Sequence, residues 1–410
     1  MDQVELTLTG IAHGGSAVGR LDGRVFFVTY ALPGETVIAQ IDEDRERYVL
    51  AHLVEVLDAS PNRVGAPCPY FGVAGCGGCQ WQHISYSTQL ELKSEIVCDQ
   101  LMRIGRVAAP TVLPTLPDSS GWGYRNNAQF TPALGNGLGF QAASSHDVIA
   151  VDKCLVLHSL LSDLYTALDI DLEGLTRLSL RCGAESGDRM LIFETEDDFP
   201  PALEVDLPIS CVLLLSDGIH VNLIGHNHII ETVMGHTYHV SAPSFFQVNT
   251  PQASRLVEIV LERLNLRGSE TVLDAYCGVG LFATHLAEQA SLVIGVESAS
   301  TAVEDLIQNS VNFDNVEIIE GPTELVLPEL DIELDAAIVD PPRTGLDRFA
   351  LDALADLHPE RLVYVSCDPA TLARDIQRLT KKGYGLVDVQ PVDMFPQTHH
   401  IECVASLVAR

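Results

Sequence analysis

Thr271-Val272-Leu273-Asp274-Ala275-Tyr276-Cys277-Gly278-Val279-Gly280 decides how the second half of this chain folds. A short apolar strand stops at an acid, turns through two glycines spaced one apart, and enters a helical pattern at Leu281. The same rhythm recurs at Leu292 to Glu297, Ala336 to Asp340 and Leu362 to Ser366, with helical stretches between them. Pro251 to Leu264 predicts a helix ahead of the first strand. Buried strands alternating with helices specify a doubly wound, Rossmann-like α/β sheet.

Upstream, the period changes to two. Val4 to Leu8, Arg24 to Val28, Thr36 to Ile41 and Tyr48 to Leu57 read as strands, with turns at Gly14-Gly15, Asp22-Gly23 and Pro33-Gly34. Short strands joined by tight turns predict a small, OB-like β-barrel over residues 1–60, ended by Ser60-Pro61-Asn62. A helix is predicted from about Tyr86 to Ile104, then a strand-rich stretch over 120–235 with a turn at Gly135-Asn136-Gly137. The expected division is 1–60, 61–240 and 241–410.

Composition narrows the class. The 410 residues are 47 % hydrophobic and 20 % charged, which excludes a disordered or collagen-like chain. No apolar run reaches the roughly 18–20 residues of a membrane span, and Met1 to Glu5 has no signal-peptide layout. A cytoplasmic protein, monomeric and without a protein partner, is the expectation. The 24 basic residues, only four of them Lys, face 56 acids for a net charge of −32. That surface repels polyanions and excludes a generic nucleic-acid binder, so RNA would need a local foothold. Arg374, Arg378 and Lys381 or Lys382 share one helical face and are the candidates, against the plainer reading of a solvated face.

The glycine turn is weak by itself, but Glu297 ends the next strand, where a carboxylate can accept from both hydroxyls of a ribose. Asp274 beside the turn would repel a pyrophosphate, and the third glycine of dinucleotide sites is missing. S-adenosylmethionine fits both facts. Asp340, opening Asp340-Pro341-Pro342-Arg343 at a strand's carboxyl end, points at the same site. Enzymes that methylate exocyclic amines also use Asp-Pro-Pro.

Cys367 separates the two chemistries. A free Cys is ordinarily a small core hydrophobe, yet this one ends a strand beside a helix starting near Ala370, whose positive end favours thiolate. Amine methylation needs no nucleophile. Methylation of a pyrimidine at C5 does, because a thiolate adding to C6 makes C5 an enolate carbon able to attack a methyl group. A base must then remove the C5 proton; Glu402 is the candidate, against the plainer reading of a surface carboxylate. Separately, Cys68, Cys76 and Cys79 cluster in a Gly-rich loop, with Cys154 as a distant fourth. Their spacing suits structural zinc, the commoner case, or an iron–sulfur cluster.

With these motifs together the chain resembles the RNA uracil-C5 methyltransferase family, in its larger form with an N-terminal TRAM domain and a [4Fe–4S] cluster. The likeness rests on Cys68-Pro69 with Cys76 to His83, Tyr124-Arg125-Asn126, Ser244 to Asn249, Asp274 to Gly280, Asp340 to Arg343, Ser366 to Asp375, and Asp393 to Glu402. It implies Cys68, Cys76, Cys79 and Cys154 as cluster ligands, displacing zinc. It implies Gln247, Tyr276, Leu281, Glu297 and Asp340 at S-adenosylmethionine, Cys367 as nucleophile and Glu402 as base. Phe245 would stack on RNA and Gln247 would lie near the uracil. Three departures stand out: a first cysteine spacing two residues longer than the commonest form, Leu281 where a polar residue is usual, and Gly321-Pro322-Thr323 where an acid often contacts adenine.

The layout looks more like the 23S rRNA enzymes; cluster-bearing archaeal relatives act on the tRNA T-loop, which is the alternative substrate. An amine methyltransferase and a non-catalytic iron–sulfur RNA-binding protein are the other readings.

Overall fold

Five strands close the N-terminal barrel: β1 (Gln3–Ile11), β2 (Ala17–Leu21), β3 (Arg24–Thr29), β4 (Thr36–Asp44) and β5 (Tyr48–Asp58), in the order β1-β2-β3-β5-β4. Alternate residues such as Leu6, Leu8, Phe26 and Val28 fill its interior, as the period of two requires. The computed structural model describes residues 2–133, 137–143 and 145–410, so of the turn predicted at Gly135-Asn136-Gly137 only Gly137 lies among the described residues.

Helix α1 (Tyr86–Arg103) follows, one residue shorter than predicted. The strand-rich stretch forms a sheet of β6 (Asn127–Ala133), β7 (Gly137–Gln141), β8 (Val148–Ala150), β9 (Leu175–Cys182), β10 (Arg189–Thr195), β11 (Ser210–Leu214) and β12 (His220–Ile224). Their order is β12-β11-β10-β9-β6-β7-β8, and α2 (Ser159–Thr166) covers one face through Leu161 and Leu164. A separate hairpin, β13 (His228–Val233) with β14 (His236–Ser241), packs on helices α3 (Thr250–Leu264) and α5 (Ser300–Asn309).

The C-terminal sheet contains β15 (Thr271–Ala275), β16 (Leu292–Glu297), β17 (Val316–Glu320), β18 (Ala336–Val339), β19 (Arg361–Ser366), β20 (Tyr384–Val392) and β21 (Glu402–Ala409). The order β17-β16-β15-β18-β19-β21-β20 puts five parallel strands beside an antiparallel pair. Between strands lie α4 (Leu281–Ala287), α5, α6 (Thr323–Val326), α7 (Arg348–Leu357) and α8 (Pro369–Lys381). One core joins α3, α4 and α5 to the sheet, and a second joins α1, α7 and α8 to its other face. Because both faces are covered, the central strands are apolar almost throughout, as in Val272, Leu273, Ile338 and Val363.

The reversal at β21 is the feature that matters for chemistry. Ser366 pairs with Cys403 in an antiparallel register, which places Cys367, just past the end of β19, opposite Glu402 at the start of β21. A parallel last strand would have put Glu402 at the far end of the sheet.

Candidate active site

The glycine turn is shaped to admit a ligand. Gly280 adopts φ +94°, and a Cβ there would lie 2.4 Å from Leu306 Cδ1, so both its conformation and its packing demand glycine. A Cβ on Gly278 would instead meet open space. Replacing Gly280 with alanine is expected to weaken S-adenosylmethionine binding at least tenfold, by about 1.4 kcal/mol or more; calorimetry on the folded variant checks it. Glu297 is fixed over the turn: its Oε2 accepts from the Gly278 amide (3.0 Å) and its Oε1 from the Ser298 and Ala299 amides (2.7 and 2.8 Å). Each carboxylate oxygen can accept two hydrogen bonds, so Oε2 keeps capacity for a ribose hydroxyl. Tyr276, the residue after the strand, is half-buried in a left-handed conformation with Thr323 beside it. Leu281 is buried and apolar, leaving only its backbone for ligand contact.

Asp274 is fully buried, and neither carboxylate oxygen has a hydrogen-bond partner. Burial, with Asp340 and Glu297 nearby, pushes its carboxyl up to about 8. An orphaned buried carboxyl is a costly feature that a cation would relieve, and S-adenosylmethionine carries a sulfonium and an ammonium. A carboxyl protonated in the fold but ionised in the unfolded chain makes the fold weaker as pH rises. The ligand-free protein is therefore expected to lose stability between about pH 4 and pH 8, by at most about 1.4 kcal/mol per pH unit for Asp274. Melting curves at pH 5 and 8 check this, and S-adenosylmethionine should flatten the loss; an unchanged slope would count against the contact.

At the reacting end, Asp340, Cys367 and Glu402 come together. Burial and the two neighbouring carboxyls push the Cys367 thiol up to about 12. Burial and Asp340 likewise push the Glu402 carboxyl well up, while Arg343 pulls both groups back. This corrects the expectation that the α8 terminus holds Cys367 as thiolate: two acids beside a buried sulfur outweigh half a helix charge, and the protein rests with the thiol protonated. Asp368, the N-cap of α8, accepts from the Ala370 and Thr371 amides at 2.9 and 2.8 Å. Burial opposes its ionisation, but those amides and His13, whose Nε2 lies 3.2 Å away, hold it near 2.

His13 was not foreseen. It belongs to the β1–β2 turn, so the barrel reaches the residue next to Cys367, and Gly15 of that turn packs against His399 while its carbonyl accepts from Trp81 Nε1 (3.0 Å). Nothing local in a Gly-rich turn signals such a contact. Also missed was the grip of α1 on the loop before Glu402. Tyr86 donates to Asp393 Oδ2 (2.8 Å), Gln89 Nε2 to Gln397 Oε1 (3.0 Å), and fully buried Lys93 to Asp393 and to the Phe395 carbonyl (3.2 Å). The signal was present: Lys93 is one of four lysines and shares the apolar face of Leu92, Ile96 and Val97.

Phe245 is 69 % exposed at the rim of a cavity of about 400 Å³. Cys68, Cys76, Cys79 and Cys154 line that cavity together with Arg125. Gln247 is buried in the loop before α3, its carbonyl held by Asn126 Nδ2 (3.1 Å). Amide groups point at the sulfurs: Gly78 N–H at Cys76 (3.4 Å), and Val156 and Leu157 at Cys154.

The arginines expected to form a basic face on α8 are paired with an acid of the same helix. Arg374 binds Asp375 through Nε (2.8 Å) and Nη2 (3.0 Å) and also donates to the Thr344 carbonyl (2.8 Å); Arg378 lies 3.6 Å from the same carboxylate. Lys382 pairs with Asp352 (2.9 Å). Buried Asp375 thus holds both guanidinium groups, whose side chains stay 34 % and 41 % exposed.

Residues 2–54 match the model of the TRAM domain, and residues 223–410 the model of tRNA (Uracil-5-)-methyltransferase. Among curated relatives, an uncharacterized RNA methyltransferase of Halalkalibacterium halodurans is 37 % identical, covering 99 % of this chain and 97 % of its own length. Another from Streptomyces avermitilis is 37 % identical over 99 % and 98 %. Among solved structures, the tRNA (uracil-54, C5)-methyltransferase of Pyrococcus abyssi, in complex with S-adenosyl-L-homocysteine, superposes with a TM-score of 0.80 at 28 % identity. That match covers 98 % of this chain and 99 % of the other. The likeness runs over nearly the full length of both chains, and the chain belongs to the RNA uracil-C5 methyltransferase family.

Proposed function

We propose that this protein methylates C5 of a uridine in structured RNA through a covalent bond between Cys367 Sγ and C6 of the base. The observation that carries the reading is the antiparallel register that sets Cys367 against Glu402 at the carboxyl ends of the parallel strands. S-adenosylmethionine, when bound, supplies the methyl group; Asp274, Glu297, Asp340, Gln247, the Tyr276 ring and the Leu281 backbone are the residues proposed to hold it. Cys367 loses its thiol proton to solvent, the thiolate adds to C6, and the C5–C6 π pair moves through C5 to O4. After C5 gains its methyl group and the demethylated thioether is left behind, Glu402, ionised at that point, takes the C5 proton; the C5–H pair re-forms the C5–C6 double bond and the C6–Sγ bond breaks to release the Cys367 thiolate. A carboxyl with raised proton affinity suits that step. The target base must leave its stack to reach a thiol in a recess, and exposed Phe245 offers a ring to stack on what is unpaired.

The proposed division keeps 1–60 for RNA contact, 61–240 for the cysteine-bearing domain and 241–410 for methyl transfer. For substrate, 23S rRNA is the first reading, on the barrel-plus-cysteine layout. The tRNA T-loop is the second, favoured by the full-length likeness to the Pyrococcus abyssi enzyme. Short rRNA and tRNA loops carrying 5-fluorouridine at the target decide between them. Fluorine cannot leave as a proton does, so the adduct persists on a denaturing gel, and the RNA that yields it is the substrate class. Absence of adduct with both, alongside transfer to an amine-bearing base, would overturn the reading.

Cys68, Cys76, Cys79 and Cys154 are proposed to hold a [4Fe–4S] cluster. A zinc ion with Zn–S bonds of about 2.3 Å draws its sulfurs within about 4 Å of one another. Four cysteines around one cavity of about 400 Å³ leave room for a body several atoms across, as the resemblance implies. The methyl transfer moves no electrons, so the cluster's part is structural. Anaerobically purified protein is expected to contain iron and absorb broadly in the visible; iron-free, colourless protein would refute the assignment.

A further inference from the structure

Far from the reacting residues, His236 on β14 and His285 on α4 stack with ring centroids 4.0 Å apart and 26° between planes. Glu288, the C-cap of α4, places Oε1 3.0 Å from His236 Nε2. One ligand atom from each of the three residues lies within 4.8 Å of the other two. His285 is 3 % exposed, and its Nε2 has no hydrogen-bond partner.

A buried imidazole nitrogen without a partner is costly unless something occupies its lone pair. The ring is already oriented by the stack on His236 and by the Tyr238 ring, 6.3 Å away between centroids. The neighbouring turn is held as well, because Asn315 Nδ2 donates to the Ala287 and Ala290 carbonyls at 2.9 and 3.0 Å on either side of Glu288. The Phe313 ring lies 5.9 Å from that of His236 and walls one side. Glu288 is half exposed, leaving a route for an ion and for water.

We propose that His236, His285 and Glu288 bind a divalent transition-metal ion of the zinc class, with water completing the coordination. Two imidazoles and one carboxylate select such an ion over magnesium or calcium, which prefer all-oxygen sites. The ion would tie the β13–β14 hairpin to the helix that begins at the glycine turn, bracing the turn from behind. This site does not depend on the methylation reading, nor on the cysteines.

The test is Co²⁺ uptake by the anaerobically purified full-length protein, with Glu288→Gln and His236→Gln beside it. Both altered side chains reach the surface, so the variants should fold; His285→Gln is a third, interior variant. Wild type is expected to take up one more equivalent than either surface variant. The added bands should be the weak visible bands of nitrogen and oxygen ligation, without thiolate charge transfer. Zn²⁺ should raise the melting temperature of wild type and not of the variants. Equal uptake by all three proteins, or added bands of thiolate character alone, would overturn the site.

Discussion

Cys367→Ala is expected to lower methyl transfer by on the order of 10⁴-fold or more while leaving S-adenosylmethionine affinity within about twofold. On the proposed mechanism it is the thiolate addition at C6 that makes C5 attack. The 5-fluorouridine adduct should vanish with it. Glu402→Gln should separate the steps: the thiol still adds and the methyl group still arrives, but the C5 proton stays, so adduct accumulates on ordinary uridine RNA. Because Cys367 is held up to about 12 and Glu402 is also raised, both groups lose their protons more readily as pH increases. The rate of adduct formation should accordingly climb from pH 6 to 9. A variant lacking Cys367 that retains transfer would return the chain to amine chemistry.

Lys93→Ala should give the largest loss of stability. Lys93 and Asp393 are both fully buried, and the pair joins α1 to the loop that leads into Glu402. Removing the ammonium strands a carboxylate, for which the expected cost is about 3–5 kcal/mol, or on the order of 10 °C in melting temperature. Exchanging both partners, as Lys93→Met with Asp393→Leu, should recover much of that loss because no charge is left unpaired. Thermal unfolding of the three proteins measures it. A single variant within 1 kcal/mol of wild type would mean water reaches Asp393.

Residue order alone determined the periodic features. The α/β sheet follows from apolar runs of four to six residues ending at Asp274, Glu297, Asp340 and Ser366, because strand and helix periods are local properties. The barrel follows likewise from alternation in β1 to β5. Cys367 was legible because its strand and the helix after it are contiguous with it.

Tertiary structure decided the rest. Glu402 lies 35 positions from Cys367 and meets it only because β21 runs antiparallel, a pairing that no local period encodes. His13 reaches Asp368 from another domain. The α8 arginines were legible as one helical face, but their pairing with a buried Asp375 was not. Protonation follows the same rule. A helix terminus is visible in sequence, whereas burial among distant carboxyls is not, and burial decided that Cys367 rests as a thiol.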